Sequence, residues 1–297
     1  MLKDINMDKI FSIIIPQRNS IGTLARLFNS IPVSDRIEII LVDNSPTPIT
    51  KKDIGIDRDY TLLWAAPERY AGGARNVGLE KATGKWLLFC DADDFFSANA
   101  FDIFFSYKDS ESDVIYFKCD GLNTDTGLRS NRGDMYNNLI DAYHCGEIDE
   151  WSLRFEFVVP WAKMVKREIV KTHNIKFDEV VAANDAFFSI LTGYHAKSII
   201  ADDAIVYMVT STKGSLTKRK DEKAIESRFV VGLRSNRYLK DHGFSSKQQS
   251  LMLLLKRSLD YGLPVTIRFL KLMIKYGQNP FVGWRNWFST LNKMNKN

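Results

Sequence analysis

Three carboxylates stand within four residues in the segment Asp91-Ala92-Asp93-Asp94, directly after the apolar run Leu87-Leu88-Phe89-Cys90. Carboxylates this close repel one another, so a folded protein keeps them where a cation or several donors offset their charge. Oxygen ligands at a strand end suit Mg²⁺ or Mn²⁺, which also bind substrate phosphates. The segment therefore predicts a divalent-metal site. The structural alternative is that Asp93 or Asp94 caps a helix starting near Ser97 while the other carboxylates are solvated.

The elements that must position these carboxylates alternate between strands and helices. Strands are predicted over Phe11–Ile15, Ile37–Val42, Tyr60–Trp64 and Trp86–Cys90, and helices over Ile21–Ser30 and Ala71–Ala82. This order with short connections is typical of a Rossmann-like α/β fold, with a mostly parallel sheet covered by helices on both faces. Ligands bind such a sheet beyond the carboxyl ends of its strands. Polar clusters follow three of the predicted strands, at Pro16–Asn19, Asp43–Ser45 and Asp91–Asp94.

The second half of the chain is predicted to be mixed and then helical. A strand is expected over Asp113–Lys118, a loop or hairpin over Gly121–Gly133, a stretch crossing into a helix over Val158–Lys171, a helix over Val181–Thr192 and an extended segment over Ser198–Val209. From about Thr217 the pattern is helical throughout. We therefore expect an α/β domain over residues 1–217 and a helical extension over residues 218–297.

The charge is unevenly distributed along the chain. Residues 218–297 hold 17 Lys and Arg against 5 Asp and Glu, so 24 and 31 of the totals of 41 and 36 remain for residues 1–217. An acidic body with a basic tail suggests two roles, although basic helices are also common as solvated faces. The acidic body would repel nucleic acid, and no nucleic-acid recognition motif is present, so we expect no such partner.

The basic tail contains one well-defined predicted helix, over Pro264–Tyr276, with proline at its start and Gly277 after its end. Arg268, Lys271 and Lys275 fall on one face at spacings of three and four. Apolar residues surround them, and Phe281, Trp284, Trp287 and Phe288 follow. This mixture fits a helix lying in an anionic membrane surface. Packing on the catalytic domain or an oligomer contact fits the same pattern.

Cysteine usage and the N-terminal residues indicate the compartment. The chain has three cysteines, Cys90, Cys119 and Cys145, without a Cys-x-x-Cys spacing, which favours a reducing environment over a disulfide framework. Residues 1–10 lack the apolar core of a signal peptide, and no apolar run reaches the roughly 18 residues of a spanning helix. We expect a cytoplasmic protein, with the tail as a route to the inner face of the membrane.

Four blocks of the sequence, taken together, resemble glycosyltransferase family 2 of the GT-A fold. They occur in the family's order and spacing, and they are Phe11-Ser-Ile-Ile-Ile-Pro-x-x-Asn19, Glu38-Ile-Ile-Leu-Val-Asp43-Asn-Ser45, Ala74-Arg75-Asn76-x-Gly78-Leu79 through Trp86, and Phe89-x-Asp91-Ala-Asp93-Asp94. A weaker downstream resemblance includes Pro160–Met164, Phe177–Glu179 and Asn184–Phe188, and reaches Thr217. The resemblance implies a nucleotide-diphospho-sugar transferase fold built from two abutting βαβ units.

The resemblance also implies a role for individual residues. Pro16, Asn19, Asp43 and Ser45 would line the nucleotide pocket, with Asp43 accepting a hydrogen bond from the base. Arg75 would lie near the diphosphate. Asp91 and Asp93 correspond to the Asp-x-Asp pair that binds donor and Mn²⁺ or Mg²⁺, with Asp93 the more direct ligand and Asp94 in support. Asp185 occupies the position of the catalytic base.

Several positions depart from the family pattern. Asn44 stands where a second Asp is usual, and Glu68-Arg69-Tyr70 replaces the common Asn-x-Gly. Asn184 replaces the usual Glu before the candidate base. The expected activity is inverting transfer of a sugar, from a UDP-sugar or related donor, to a glycan acceptor such as a lipid-linked intermediate of surface polysaccharide. A non-catalytic nucleotide-sugar-binding protein of this fold is an alternative, as is a nucleotidyltransferase, although the Gly-rich loop and lysine of that class are missing after the first strand.

Overall fold

The structure, a computed structural model, describes residues 8–211, residues 221–279 and Val282. The chain divides into two compact units. The first consists of Met1–Glu179 and Phe188–Ser215, and the second of Val180–Phe187 and Leu216–Asn297.

The first unit contains the strands and most of the helices that the structure describes. The strands are β1 (Phe11–Gln17), β2 (Ile37–Asp43), β3 (Thr61–Trp64), β4 (Trp86–Phe89), β5 (Phe95–Phe96), β6 (Val114–Asn123), β7 (Arg129–Ser130), β8 (Lys163–Lys166) and β9 (Ile199–Ser211). The helices between them are α1 (Ile21–Asn29), α2 (Lys51–Ile54), α3 (Tyr70–Lys81), α4 (Ala100–Ser106), α5 (Asp134–His144), α6 (Glu150–Glu156), α7 (Arg167–Thr172) and α8 (Ala186–His195), of which the last crosses a junction between the units.

These strands join one sheet, which is parallel on one side and mixed on the other. Within the described residues the order is β3-β2-β1-β4-β8-β6-β9-β5, with β7 paired to β6. The first four strands are parallel to one another. Strand β8 runs antiparallel to both β4 and β6, while β9 is parallel to β6. The predicted α/β sheet therefore holds over β1 to β4, and antiparallel pairs enter after them.

Strand β1 lies at the centre of the parallel region because its sequence is apolar on both faces. All seven of its residues are buried, as expected for a strand covered by helices on both sides of the sheet. Helix α3 packs closely on it at Gly78, where an added Cβ would lie 2.6 Å from Ile14 Cγ2. This close approach fixes the helix that carries Arg75 and Asn76 above the sheet.

One prediction for the second half of the chain is incomplete, and another is wrong in part. Residues 158–171 cross into a helix as predicted, since α7 begins at Arg167, but Lys163–Lys166 first form β8, which was not predicted. The apolar Met164 and Val165 satisfy a buried strand as well as a helix, and pairing with β4 and β6 decides between them. The helix predicted from Val181 begins only at Ala186. Helix α4 begins at Ala100, close to the helix expected near Ser97, whereas α2, α5 and α6 were not predicted.

Residues 221–279 of the second unit are mainly helical, as expected. Its helices are α9 (Glu222–Asp241), α10 (Met252–Ser258) and α11 (Leu263–Lys275). They share a small apolar core in which the rings of Phe229 and Phe269 stack at 4.4 Å. Helix α11 matches the predicted helix, with proline in its first turn and Gly277 at φ 60° beyond its end.

Two details of the tail prediction change. Arg268 is not part of a free basic face, because its guanidinium contacts Glu222 at 2.7 Å and Glu226 at 2.9 Å on α9. The aromatic residues Phe281, Trp284, Trp287 and Phe288, with Arg285 and Lys293, lie outside the described residues. In the described part of the chain, the helices are all too short or too polar to cross a membrane.

Candidate functional site

The carboxyl ends of β1, β2 and β4 meet at one edge of the sheet. Gln17, the last residue of β1, pairs in register with Asp43, the last residue of β2. Strand β4 lies on the other side of β1 and leads through Cys90 into Asp91. The polar clusters that the sequence placed after these strands therefore share one rim.

Asp43 is the centre of a buried hydrogen-bond network on the β1–β2 side of the rim. One oxygen, Oδ1, accepts from Gln17 Nε2 and from the Ser45 amide, both at 3.0 Å, and Oδ2 accepts from the Ile49 amide at 3.0 Å. The residue is 1% exposed. A carboxylate has about four acceptor positions, so these three bonds leave one for a ligand.

The loop after β1 bends toward this network. Asn19 is exposed and adopts a positive φ of 57°, a conformation that asparagine tolerates better than most residues. Its amide donates to Ser45 Oγ at 3.4 Å. Pro16 is buried within β1. Gln17 also accepts from the Ser20 amide at 2.8 Å and so joins loop and strand.

The Asp91–Asp94 segment is held on the other side of the rim by its backbone and by one of its carboxylates. Asp94 is buried, and its two oxygens accept from Tyr207 Oη at 2.7 Å and from the Thr210 amide at 2.7 Å. The same Tyr207 hydroxyl accepts from the Asp91 amide at 3.1 Å. Asp94 thereby stabilises the loop through hydrogen bonds from two residues of β9.

Further side chains fix the carbonyl groups of this segment. Thr23 Oγ1 donates to the Ala92 carbonyl at 2.6 Å. The Asp93 carbonyl accepts from Arg26 Nη2 at 2.7 Å and from Thr210 Oγ1 at 2.9 Å. These contacts hold the loop through its backbone, so that they do not occupy the Asp91 and Asp93 side chains. Sequence reasoning missed all four supporting residues, since nothing in their spacing marks Thr23, Arg26, Tyr207 or Thr210.

The three carboxylates lie close enough to share a cation. Asp91, Asp93 and Asp94 each offer an oxygen, and these oxygens lie within 4.8 Å of one another. Asp93 is exposed and Asp91 is half-buried, whereas both Asp94 oxygens already have protein donors. Hard oxygen donors of this kind are what Mg²⁺ and Mn²⁺ prefer. The residues present therefore fit a divalent cation held mainly by Asp91 and Asp93.

The crowding of charge changes the proton affinities at the site. Burial raises the pKa of Asp94 well above its usual range, and the charges of Asp93 and Asp91 raise it further. Protein atoms around the exposed Asp93 also desolvate its carboxylate and raise its pKa, with Asp91 adding to the effect. Arg132 and Arg26 oppose that rise. A cation at this position would relieve the repulsion.

Arg75 adds a positive charge beside this cluster. Its Nη2 contacts Asp91 Oδ1 at 2.6 Å, and its guanidinium lies 5.3 Å from the centre of the Phe177 ring. Asn76 holds Phe177 by both backbone groups, donating to its carbonyl at 3.0 Å and accepting from its amide at 2.8 Å. These contacts therefore connect the Arg75–Asn76 segment of α3 to the Phe177–Glu179 segment.

Arg69 and Glu179 reinforce that junction. Arg69 donates twice to the Glu179 carboxylate, at 2.9 Å and 2.6 Å, and Asn76 donates to it at 3.3 Å. The hydrogen bond from Arg69 holds the pKa of Glu179 below its usual value. Arg69, which lies in the Glu68-Arg69-Tyr70 segment that departs from the family pattern, is thus paired with Glu179.

The weaker downstream blocks of the family resemblance contain Asp185 and Trp161. Asp185 belongs to the second unit, directly before α8, and is half-buried. Trp161 is buried in the first unit, and its ring stacks on that of Tyr207 with 5.0 Å between centroids. Trp161 therefore supports the residue that positions Asp91 and Asp94.

The fold is that of known glycosyltransferase structures. A structure of S. aureus TarS in complex with UDP-GlcNAc matches with a TM-score of 0.59 and 18% identity, over 90% of this chain and 73% of that one. The mannosyltransferase PcManGT from Pyrobaculum calidifontis, in complex with GDP-Man and Mn²⁺, matches with a TM-score of 0.54 and 16% identity, over 95% and 79%. This likeness confirms the predicted GT-A fold.

Sequence comparison establishes the family. Residues 12–173 match the family described as Glycosyl transferase family 2, which is more than half of the 297 residues. The chain belongs to this family. It is 26% identical over 215 residues to the poly(ribitol-phosphate) beta-N-acetylglucosaminyltransferase TarS of Staphylococcus aureus, covering 69% of this chain and 36% of TarS. A poly(ribitol-phosphate) beta-glucosyltransferase of Bacillus spizizenii is 26% identical over 216 residues, covering 67% and 32%. The chain spans about a third of the length of these two relatives.

Proposed function

We propose that this chain is an inverting, metal-dependent glycosyltransferase that moves a sugar from a UDP-sugar to a hydroxyl of a glycan acceptor. The observation that carries the proposal is the 2.6 Å contact between Arg75 and Asp91, beside Asp93, at the end of β4. It brings the guanidinium of Arg75 and the accessible carboxylates of Asp91 and Asp93 to the rim where the parallel strands end. The guanidinium suits a diphosphate, and the carboxylates suit its metal ion.

Asp91 and Asp93 would hold Mn²⁺ or Mg²⁺. When bound, the ion offsets the negative charge that develops on the leaving diphosphate. Arg75 adds to that stabilisation from a position fixed by Asp91 and Phe177. Asp94 keeps the loop in place through Tyr207 and Thr210.

The nucleotide would lie on the β1–β2 side of the rim. Pro16, near the end of β1, and Asn19, in the loop after it, form its wall, and Ser45 orders the loop through the Asn19 amide. Asp43 has one acceptor position left for a donor group of the base, because its three protein bonds are already made. A pre-organised network of this kind lowers the entropic cost of binding the donor.

Asp185 is the proposed general base. In the transfer step the acceptor oxygen forms a bond to the anomeric carbon as the bond to the diphosphate oxygen breaks. The hydroxyl proton passes to the Asp185 carboxylate. A single direct displacement of this kind inverts the anomeric centre and needs no second carboxylate as nucleophile.

The acceptor is proposed to be a lipid-linked glycan intermediate of surface polysaccharide synthesis, handled at the cytoplasmic face of the membrane. The names of the poly(ribitol-phosphate) glycosyltransferase relatives support a polymeric cell-surface acceptor. We propose that residues 1–217 form the catalytic domain and residues 218–297 a helical extension. A unit boundary at Ser215 supports this division.

Calorimetric titration of the full chain with UDP, GDP and dTDP, each with and without Mn²⁺, tests the donor site. We expect UDP to bind in the presence of Mn²⁺ and much more weakly without it. The proposal fails if no nucleoside diphosphate binds with Mn²⁺ present. A hydrolysis screen across UDP-, GDP- and dTDP-sugars then identifies the donor.

Replacement of the base separates an enzyme from a binding protein. Asp185→Asn should abolish most turnover while leaving calorimetric donor binding intact, and the exposed Asp109→Asn should change neither. Undiminished turnover in Asp185→Asn would assign the base to another residue. Donor binding by the wild type without any turnover would favour the non-catalytic alternative.

A further inference from the structure

Helix α11 has two apolar faces, of which only one is buried. Val265, Phe269 and Met273 pack in the core of the second unit. Four other large apolar side chains of the same helix face solvent: Leu263 (69% exposed), Ile267 (50%), Leu270 (43%) and Ile274 (81%). We call these four residues the α11 stripe.

The members of the α11 stripe are spaced four, three and four residues apart. At 3.6 residues per turn this spacing aligns them along one side of the helix. Single exposed apolar residues are ordinary on protein surfaces, whereas a continuous row marks a surface that is covered in use. The helical propensity of α11 does not require the stripe, because polar residues at these positions would form the helix as well.

The surroundings of the α11 stripe are basic. Residues 252–275 contain five basic residues and one acidic residue, Asp260. Lys271 and Lys275 are exposed and directly follow Leu270 and Ile274, so each lies about 100° around the helix from its apolar neighbour. Arg268 is already paired with Glu222 and Glu226. The charge beside the stripe is therefore supplied by the two lysines.

We propose that the α11 stripe docks on an anionic lipid bilayer, with Lys271 and Lys275 at the level of the phosphate headgroups. An apolar row beside basic residues is the pattern of a helix that lies in the plane of a membrane surface. Long lysine side chains can reach the headgroups while the apolar row enters the acyl boundary. The buried face of α11 stays in the protein core, so docking requires no refolding of the unit.

Charge favours a bilayer over a second copy of this chain. In a symmetric dimer the same patch meets itself, so the lysine-flanked stripe would face another lysine-flanked stripe. Anionic lipid instead attracts each lysine near the surface. This inference rests on the proposed function for its purpose, since docking would bring the active site to a lipid-linked acceptor.

Vesicle sedimentation of the full chain tests the docking surface. We expect binding to phosphatidylcholine vesicles that contain phosphatidylglycerol, and at least about tenfold weaker partitioning of the double variant Ile267→Glu/Ile274→Glu. Lys271→Glu/Lys275→Glu should lose the dependence on phosphatidylglycerol. The control is Val33→Glu, which places one glutamate on an exposed apolar residue of the first unit and should bind as the wild type does.

A single substitution guards against misfolding of the double variant. Ile274→Trp should show a blue-shifted tryptophan emission when phosphatidylglycerol vesicles are added, because its indole enters the acyl boundary. The proposal is overturned if the wild type does not bind the vesicles. It is also overturned if neither glutamate variant changes vesicle binding and the tryptophan emission of Ile274→Trp does not shift. Stripe-dependent dimerisation in light scattering, without vesicle binding, would assign the stripe to a second copy.

Donor hydrolysis without vesicles separates this inference from the proposed function. All stripe variants should hydrolyse the donor in solution at the wild-type rate, because the α11 stripe takes no part in the chemistry. Loss of vesicle binding with hydrolysis intact bears on docking alone. If the wild type binds vesicles but neither binds nor hydrolyses a nucleotide-sugar, the docking surface is supported and the proposed function is wrong.

Discussion

On the β1–β2 side of the rim, the Asp43 carboxylate is buried and accepts three hydrogen bonds from its own chain. On the β4 side, Asp91 and Asp93 remain accessible, and the loop that carries them is held by its carbonyl groups and by Asp94. A carboxylate that serves as an internal acceptor contributes to stability, whereas crowded accessible carboxylates reduce it. The two sides should therefore respond to substitution in opposite ways, one mainly in stability and the other mainly in activity.

The largest effect is expected from Asp93→Asn. This change removes a charge that would bind the metal, and turnover should fall by about 10²- to 10³-fold, the range for loss of one group that stabilises transition-state charge. The melting temperature should stay the same or rise, because a repulsive charge is lost. Steady-state kinetics and calorimetry with Mn²⁺ measure both. Asp109→Asn is the control, and a marked loss of folded stability in Asp93→Asn would contradict the contrast between the two sides.

Tyr207→Phe should weaken the metal side without touching an accessible carboxylate. The change removes the donor to Asp94 and the acceptor for the Asp91 amide. Partners of ligand residues typically change metal affinity by about 10- to 100-fold, so Mn²⁺ titration should show a loss in this range. Tyr107→Phe, which loses only a contact to Asp202, should leave Mn²⁺ affinity unchanged. Equal Mn²⁺ affinities in the two variants would show that Tyr207 does not position the loop.

Asp43→Asn tests the nucleotide side. In either orientation an amide places its NH2 group against at least one of the donors that the carboxylate now accepts from, so we expect a loss of about 1–3 kcal/mol in the free energy of unfolding. Urea denaturation measures it, with Asp93→Asn for comparison. The KM for the donor should rise while kcat changes little, since the network orders the pocket and does not contact the reacting atoms. Unchanged stability would mean that the buried network is dispensable.

The smallest effect is expected from breaking the ion pair between Arg69 and Glu179, which helps to connect α3 to the segment that contains Phe177. Both side chains are more than a third exposed, so Glu179→Gln should cost below about 1 kcal/mol at pH 7. Because Arg69 lowers the folded-state pKa of Glu179, the contribution is present above the unfolded pKa and is lost as the pH falls through the folded pKa. Urea unfolding of the wild type and Glu179→Gln should therefore differ at pH 7 and converge in acid. A constant difference at both pH values would exclude this origin.

The parallel half of the fold could be predicted because its signals are local. Strand β1 is a β-branched run buried on both faces, and the Asp91–Asp94 cluster directly follows a fully buried strand. The family and the GT-A fold followed from the same blocks. Strand β8 could not be predicted, since Met164 and Val165 are compatible with helix or strand until β4 and β6 lie beside them.

The supports of the candidate site could not be predicted for a related reason. Tyr207 and Thr210 lie in β9, more than a hundred residues after the carboxylates that they hold. The local sequence around Tyr207 does not indicate that its hydroxyl binds a distant loop. The exposed stripe of α11 was also hidden, because sequence periodicity shows the apolar positions but does not show which of two apolar faces the core covers.

The bond between the Asp91 amide and Tyr207 joins residues 116 positions apart. At about 5–20 residues per second, a ribosome needs roughly 6 to 23 s to add the intervening chain. For that time the nascent polypeptide contains the acidic loop but not the strand that secures it. The first half of the sheet can close while its carboxylates still lack a fixed geometry. If the Asp91–Asp94 segment binds a divalent ion as proposed, that affinity should thus appear late in translation, once β9 has left the exit tunnel.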